Sequence, residues 1–289
     1  MKPAAFDYVR PLNLEDLLGT LSDGDVLLAG GQSLLPELNE RRCRPRRLVD
    51  LNAVTELEHC EAGPDRVVVG ALTRHRDLAE RSDVRAAVPV LSQAARHVGH
   101  AAVRTRGTLG GSIANADPAA ELPCVCVLLD AVARLRSATG ERTAAVATLM
   151  RPGGLAEREV ITTIEMPRMR PGEGWGFREL SRPGAYAFPL VTAGTTLLLG
   201  TDGAVAGLRV AVSGAAATPY ALPDHAVAGL LGARPGDIWA DAVASRLAAV
   251  ADPFGDHYAS AAYRRRIVWH LVRQAVADAL ERAVPGAAT

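Results

Sequence analysis

Two diglycine turns constrain this chain more than any other part of it. The first reads Leu28-Ala29-Gly30-Gly31-Gln32-Ser33-Leu34, and the second runs from Arg106 through Gly107-Thr108-Leu109-Gly110-Gly111-Ser112 to Asn115-Ala116-Asp117-Pro118. Each sets two residues without Cβ beside one another with a hydroxyl residue close behind. Backbone N–H groups can therefore approach an anion closely while a side chain donates beside them. Taken alone, Gly30-Gly31 is equally a tight turn between strand and helix. The second turn carries more: Arg104 and Arg106 precede it, and Asn115, Asp117 and Glu121 follow it. That density of polar groups suits a ligand with a pyrophosphate, a hydroxylated chain and a polar ring edge. The two turns together suggest a pair of loops gripping one extended phosphorylated cofactor.

At 289 residues the chain exceeds the usual single-domain size, so a two-part molecule is expected. Lysine plus arginine equals aspartate plus glutamate, 32 each, leaving no global field to attract nucleic acid or an anionic membrane. No stretch approaches the ~20 apolar residues of a spanning helix, and a cytoplasmic protein is expected. Cys43, Cys60, Cys124 and Cys126 have neither iron–sulfur nor zinc spacing and are read as reduced thiols. Neither Gly-x-Gly-x-x-Gly nor the Gly-x-x-x-x-Gly-Lys phosphate loop occurs, nor Gly-x-Ser-x-Gly or His-Glu-x-x-His. A Rossmann nicotinamide site, a P-loop nucleotidase, a serine hydrolase and a zinc hydrolase thus lose their usual anchors.

Along the chain, Asn13-Leu14-Glu15-Asp16 reads as an N-cap and acidic first turn of a helix through Leu21. Asp25 to Ala29 reads as a strand, Gln32 to Arg42 as a helix with Pro36 near its start, and Arg47 to Asp50 as the returning strand of a small βαβ unit. Residues 67–70 form a further strand, and residues 83–97 a helix with Val84, Val88, Leu91 and Ala95 at helical spacing. Residues 131–136 and 143–149 read as a hairpin, and 160–164 as a strand. Pro167, Pro171, Gly172 and Gly174 mark the boundary between domains. Three strands, 175–180, 190–199 and 205–212, then precede helices over 238–250 and 258–283, an α+β order.

Three further features admit bland readings. His97 and His100 suit a surface or helix-end role better than metal ligation, since no carboxylate or cysteine nearby completes a shell. Arg264-Arg265-Arg266 reads as a solvated helix face, with a docking patch for an acidic partner as the alternative. Tyr186 either covers a flat ring across an interdomain cleft or packs under a loop.

The landmark stretches are Ala29-Gly30-Gly31-Gln32-Ser33-Leu34-Leu35-Pro36, Leu48-Val49-Asp50-Leu51, Val69-Gly70-Ala71-Leu72-Thr73, residues 103–112, residues 117–123, and the closing Tyr263-Arg264-Arg265 helix. With these in sequence over nearly the whole chain, the protein resembles the FAD-binding medium subunit of molybdenum hydroxylases, the group of carbon monoxide dehydrogenase and the xanthine dehydrogenases. The resemblance implies an α+β fold. A two-part FAD domain of the vanillyl-alcohol-oxidase and peroxidase-like (PCMH) type would span residues 1–170, with parts at about 1–55 and 56–170. A C-terminal domain of antiparallel sheet plus helices would follow over 175–289. The implied FAD site draws on Leu28, Ala29, Gly30, Gly31, Gln32, Ser33 and Leu34 from the first loop. From the second it draws on Arg106, Thr108, Gly110, Gly111, Ser112, Asn115, Asp117 and Glu121, with Tyr186 beyond the boundary. No metal site is expected in the chain itself, and no general base can be named.

The implied partners are a large molybdenum-cofactor subunit and a small iron–sulfur subunit, from whose clusters FAD would pass electrons to an external acceptor. The chain departs from the pattern at Thr105, where asparagine is usual, at Asn115, where histidine is common, and at Ala185, which lacks the usual carboxylate. These departures motivate the alternative reading, a self-contained FAD-dependent oxidase or dehydrogenase acting directly on a small metabolite.

Overall fold

The computed structural model describes residues 2–182 and 188–286. Tyr186, and with it Ala185, lies outside the described residues. Three sheets make up the fold. The first holds β1 (Asp7–Val9), β2 (Asp25–Leu28) and β3 (Arg47–Asp50) in the order β1-β3-β2, all parallel. Its register pairs Val26 with Leu48 and Leu28 with Asp50. The second is antiparallel, with β4 (Cys60–Ala62), β5 (Arg66–Gly70), β6 (Val132–Ser137), β7 (Gly140–Ala145) and β8 (Val160–Pro167) in the order β4-β5-β8-β6-β7. The third, also antiparallel, orders β9 (Gly174–Ser181), β10 (Pro189–Leu199), β11 (Val205–Ser213) and β12 (Tyr220–Ala221) as β12-β11-β10-β9.

Local chemistry accounts for several element ends. Asn13 caps the helix Leu14–Thr20 by accepting from the Asp16 N–H at 2.8 Å, as its sequence position suggested. Residues 83–97, expected as one helix, form two, Ser82–Ala87 and Pro89–His97. Pro89 has no N–H to extend the earlier helix and instead starts the next, while Val88 leaves the helical region at ψ 72°. The helix after Gly31 is shorter than expected, Leu34–Asn39, and Val146–Leu149 is a helical turn rather than the end of the hairpin. The terminal helix runs Ala261–Arg282, capped by the Ser260 hydroxyl, which accepts from the Tyr263 N–H.

One core lies between the second sheet and the helices Pro89–His97 and Glu121–Leu128. Every residue of Glu121–Leu128 is buried, including Cys124 and Cys126, because the helix also packs on β10 and β11. Phe177 of β9 and Ala211 of β11 belong to this same core. A second core joins the third sheet to the helices Asp237–Val250 and Ala261–Arg282.

The basic run at 264–266 is not a uniform solvated face. Arg264 is only 2% exposed, and its guanidinium donates to the carbonyls of Leu190 (2.6 Å) and Gly214 (2.8 Å) and to Asp256 Oδ2 (2.6 Å). It also lies 4.6 Å from the Phe254 ring centre. Arg265 and Arg266 are exposed. Arg264 is buried because two carbonyls from distant parts of the chain converge on it together with the nearby Asp256 carboxylate, a condition that helical periodicity cannot report.

Candidate functional site

A cavity of about 480 Å³ opens between the first and second sheets, with Phe188 and Pro189 at the start of β10 also lining it. That volume suits a cofactor-sized ligand. Its apolar walls come from Val26 and Leu27 of β2, Leu72, and Val160 and Ile161 of β8. Both diglycine turns line it. Ala29, Gly30, Gly31, Gln32, Ser33 and Leu34 reach it from the first, and Thr108, Gly110, Gly111, Ser112, Asn115, Asp117 and Glu121 from the second. Leu28 and Arg106 do not line it.

The two turns are built differently. In the first, Gly31 has φ +71°, which glycine adopts without strain, and the N–H groups of Gly30, Gly31, Gln32 and Ser33 have no protein acceptor among the described residues. Four consecutive free donors beside a cavity form an anion cradle. In the second, the corresponding groups are already engaged. The Gly110 N–H donates to the Ala71 carbonyl (2.9 Å), the Gly111 N–H to Thr108 Oγ1 (3.1 Å) and the Ser112 N–H to the Thr108 carbonyl (3.0 Å). Thr108 is the N-cap of the helix Leu109–Asn115. The second diglycine therefore offers close packing and access rather than free donors. Free N–H groups, expected at both turns, are present at the first and engaged at the second.

The turns also touch. A Cβ on Gly30 would lie 2.8 Å from Gly107 Cα and closer still to the Arg106 carbonyl oxygen. Arg106 thus contributes its backbone, and its side chain is outside the cavity wall. The same carbonyl accepts from Arg74 Nη1 at 2.6 Å.

Residues without a glycine signature complete the site. His75 lines the cavity, is 4% exposed and holds Ser112 Oγ 3.1 Å from its Nε2. Burial holds its imidazole down at about 4, so the ring is neutral at ordinary pH. Val98 and Phe188 also face the cavity. His75 lies two residues beyond the Ala71-Leu72-Thr73 landmark, and no local signal marked it as part of the site. His97 sits at a helix end with its ring 5.2 Å from Phe177 and Nδ1 3.8 Å from Glu179.

Glu121 opens its helix at the cavity wall, and burial pushes its carboxyl up to about 8, with Glu179 and Asp117 nearby adding to the effect. Burial also raises Glu179. This has a measurable consequence for the cofactor-free chain. Folded Glu121 keeps a proton that the unfolded chain releases above its ordinary 4.5, so stability falls as pH rises from there to about 8. Buried neutral His75 acts oppositely: the unfolded imidazole takes a proton below its ordinary 6.5 that the folded one refuses down to about 4. The two slopes offset one another between those ordinary values. Above them the Glu121 loss continues, amounting to about 2 kcal/mol by pH 8, and raised Glu179 acts in the same direction. Glu121→Gln should flatten that alkaline decline in urea melts recorded across the pH range; an unchanged decline would locate the cause elsewhere.

Residues 4–169 match the family described as the FAD binding domain in molybdopterin dehydrogenase, and residues 175–279 match the CO dehydrogenase flavoprotein C-terminal domain. The chain is 35% identical to the 6-hydroxypseudooxynicotine dehydrogenase complex subunit alpha of Paenarthrobacter nicotinovorans, over 99% of this chain and 98% of that one. It is 34% identical to the caffeine dehydrogenase subunit beta of a Pseudomonas species, over 98% of both. Among solved structures, a chain of carbon monoxide dehydrogenase from Hydrogenophaga pseudoflava superposes with a TM-score of 0.92 at 30% identity, covering 98% of this chain and 100% of that one.

Proposed function

The chain belongs to the family of FAD-binding subunits of molybdenum hydroxylases, and from that premise we propose how its residues serve the cofactor. It is an FAD-binding electron-transfer subunit of a heteromeric molybdenum-containing hydroxylase or dehydrogenase. Its partners are a large subunit with the molybdenum cofactor and a small iron–sulfur subunit. FAD, when bound, supplies redox chemistry between the partner clusters and an external acceptor. The observation that carries the residue assignment is the row of four unengaged N–H groups from Gly30 to Ser33 on the cavity wall.

Those donors hold the pyrophosphate, where a row of backbone dipoles neutralises charge without needing a lysine. Ser112, Asn115 and Asp117 line the stretch that receives the hydroxylated chain. Glu121, protonated below about 8, offers its carboxyl O–H as a donor within the wall. Val26, Leu27, Leu72 and Ile161 exclude water along the opposite side. Thr108 and His75 act on the site indirectly, Thr108 by capping the helix that carries Ser112 and His75 by bonding the Ser112 hydroxyl.

The domain division is placed between residues 170 and 175; the gap between the two family matches supports it. A cytoplasmic location is supported by four free cysteines. No helix among the described residues is long and apolar enough to cross a membrane.

An anaerobic titration of the purified chain tests the reading. Bound FAD that dithionite reduces, but candidate metabolites do not, is the expected result. Direct reduction by a metabolite would make the chain a self-contained oxidoreductase, and absence of bound FAD after reconstitution would overturn the site.

A further inference from the structure

Arg74 lies outside the cavity wall, yet it ties together the two turns that form it. Its Nη1 donates to the Arg106 carbonyl of the second turn at 2.6 Å, and its Nη2 donates to Asn52 Oδ1 at 2.7 Å. Asn52 Nδ2 in turn donates to the Ala29 carbonyl of the first turn at 2.9 Å. The chain from one turn to the other is thus Arg106, Arg74, Asn52, Ala29. Asn52 is itself fixed, because Asp50 at the end of β3 accepts from both its backbone N–H and its side chain. The guanidinium is fixed at its base as well. Arg74 is the N-cap residue of the helix His75–Glu80 and forms an isolated antiparallel bridge with Thr108, and the His75 N–H donates to the Gly107 carbonyl at 3.0 Å.

The Arg106 carbonyl oxygen is the shared point. It sits against Gly30 Cα on one side and accepts from Arg74 on the other. Moving the second turn away from the first breaks a charge-assisted hydrogen bond, and no second donor to that oxygen is present among the described residues. A planar fork with two divergent N–H donors can span the two acceptors at once; an ammonium on a flexible stem has no such fixed geometry.

We propose that Arg74, acting through Asn52, is the positioning residue that sets the spacing between the two turns, so that one extended dinucleotide can engage both. The inference rests on the FAD reading of the cavity. A ligand held at two places gains because binding at one place raises the effective concentration at the other, and that gain depends on the span being right. A ligand reaching only one place does not depend on the span. Arg74 therefore governs affinity for the whole cofactor far more than affinity for either half.

Calorimetric titration of the full apo-chain with FAD, FMN and ADP separates these contributions. Wild-type binding of FAD comes first; without it the functional reading fails, whatever Arg74 does. In Arg74→Lys, which retains the positive charge and loses the fork, FAD affinity should fall at least tenfold while FMN and ADP affinities change less than threefold. Asn52→Ala should give the same pattern, and adding it to Arg74→Lys should weaken FAD binding little further, since the two residues form one linkage. Equal weakening of all three ligands by Arg74→Lys would mark a merely structural role and overturn the proposal. So would unchanged FAD affinity in a variant whose circular dichroism matches wild type, or additive losses in the double variant.

Discussion

A Gly30→Ala chain should purify without flavin. The added methyl would fall within 2.8 Å of Gly107 Cα and into the Arg106 carbonyl, both of them backbone, so no side chain can swing aside to admit it. The turns must separate. Separation breaks the Arg74 bond to that carbonyl and displaces the four N–H groups from the cavity wall. Each hydrogen bond to a charged group contributes about 1.5–3 kcal/mol, so losing two weakens binding on the order of 100-fold or more. The ratio of flavin to protein absorbance after gel filtration reports the result. Gly19→Ala is the matched control, because a Cβ there meets nothing within 4 Å and its helix gains from alanine. Full flavin content in Gly30→Ala would show that the turns are not in contact.

The second large effect lies in the third sheet. Arg264→Ala should destabilise the chain by about 3–5 kcal/mol in equilibrium denaturation, the usual result of removing one partner from a buried charged network. The loss strands the carbonyls of Leu190 and Gly214 and the Asp256 carboxylate and empties the space over Phe254. Arg265→Ala, one position along and exposed, loses only a hydrogen bond to the Ala251 carbonyl and should cost about 1 kcal/mol. Equal effects from the two would return the run to a solvated face. Because Leu190 directly follows the cavity residues Phe188 and Pro189, the Arg264 variant should also bind FAD more weakly at temperatures where it remains folded.

The contrast between these two sites explains what could be read from the residues alone. The turn at Gly30-Gly31 was legible because its chemistry is local: a missing Cβ, a positive φ and a strand leading in are all properties of adjacent residues. The cap at Asn13 is local in the same sense. The helix break at Pro89 was equally local, and an apolar stripe continuous from Val84 to Ala95 obscured it. What was not legible arises from convergence. Nothing near Gly110 indicates that its N–H is taken by the Ala71 carbonyl, and nothing near Arg264 indicates Leu190 or Gly214. Arg74, Asn52 and His75 carry no motif of their own, and their importance comes from what the fold brings beside them. The family resemblance supplied the cofactor and partners, which no pattern of periodicity would have given.

The helix Glu121–Leu128 has a consequence for how the molecule comes apart. It contributes side chains to the core of the second sheet while its other face lies on β10 and β11. The segment before it is bonded to the third sheet, through the Gly214 N–H to the Pro118 carbonyl and Ser213 Oγ to the Ala119 carbonyl. Neither half of the chain can melt without uncovering this helix, so a single cooperative transition is expected for the two cores, although topology and family boundaries divide them. A gene fragment ending near residue 170 would leave the helix with a bare apolar flank. A replacement C-terminal half would have to present a surface that fits the same wedge, the face of this helix that lies on β10 and β11.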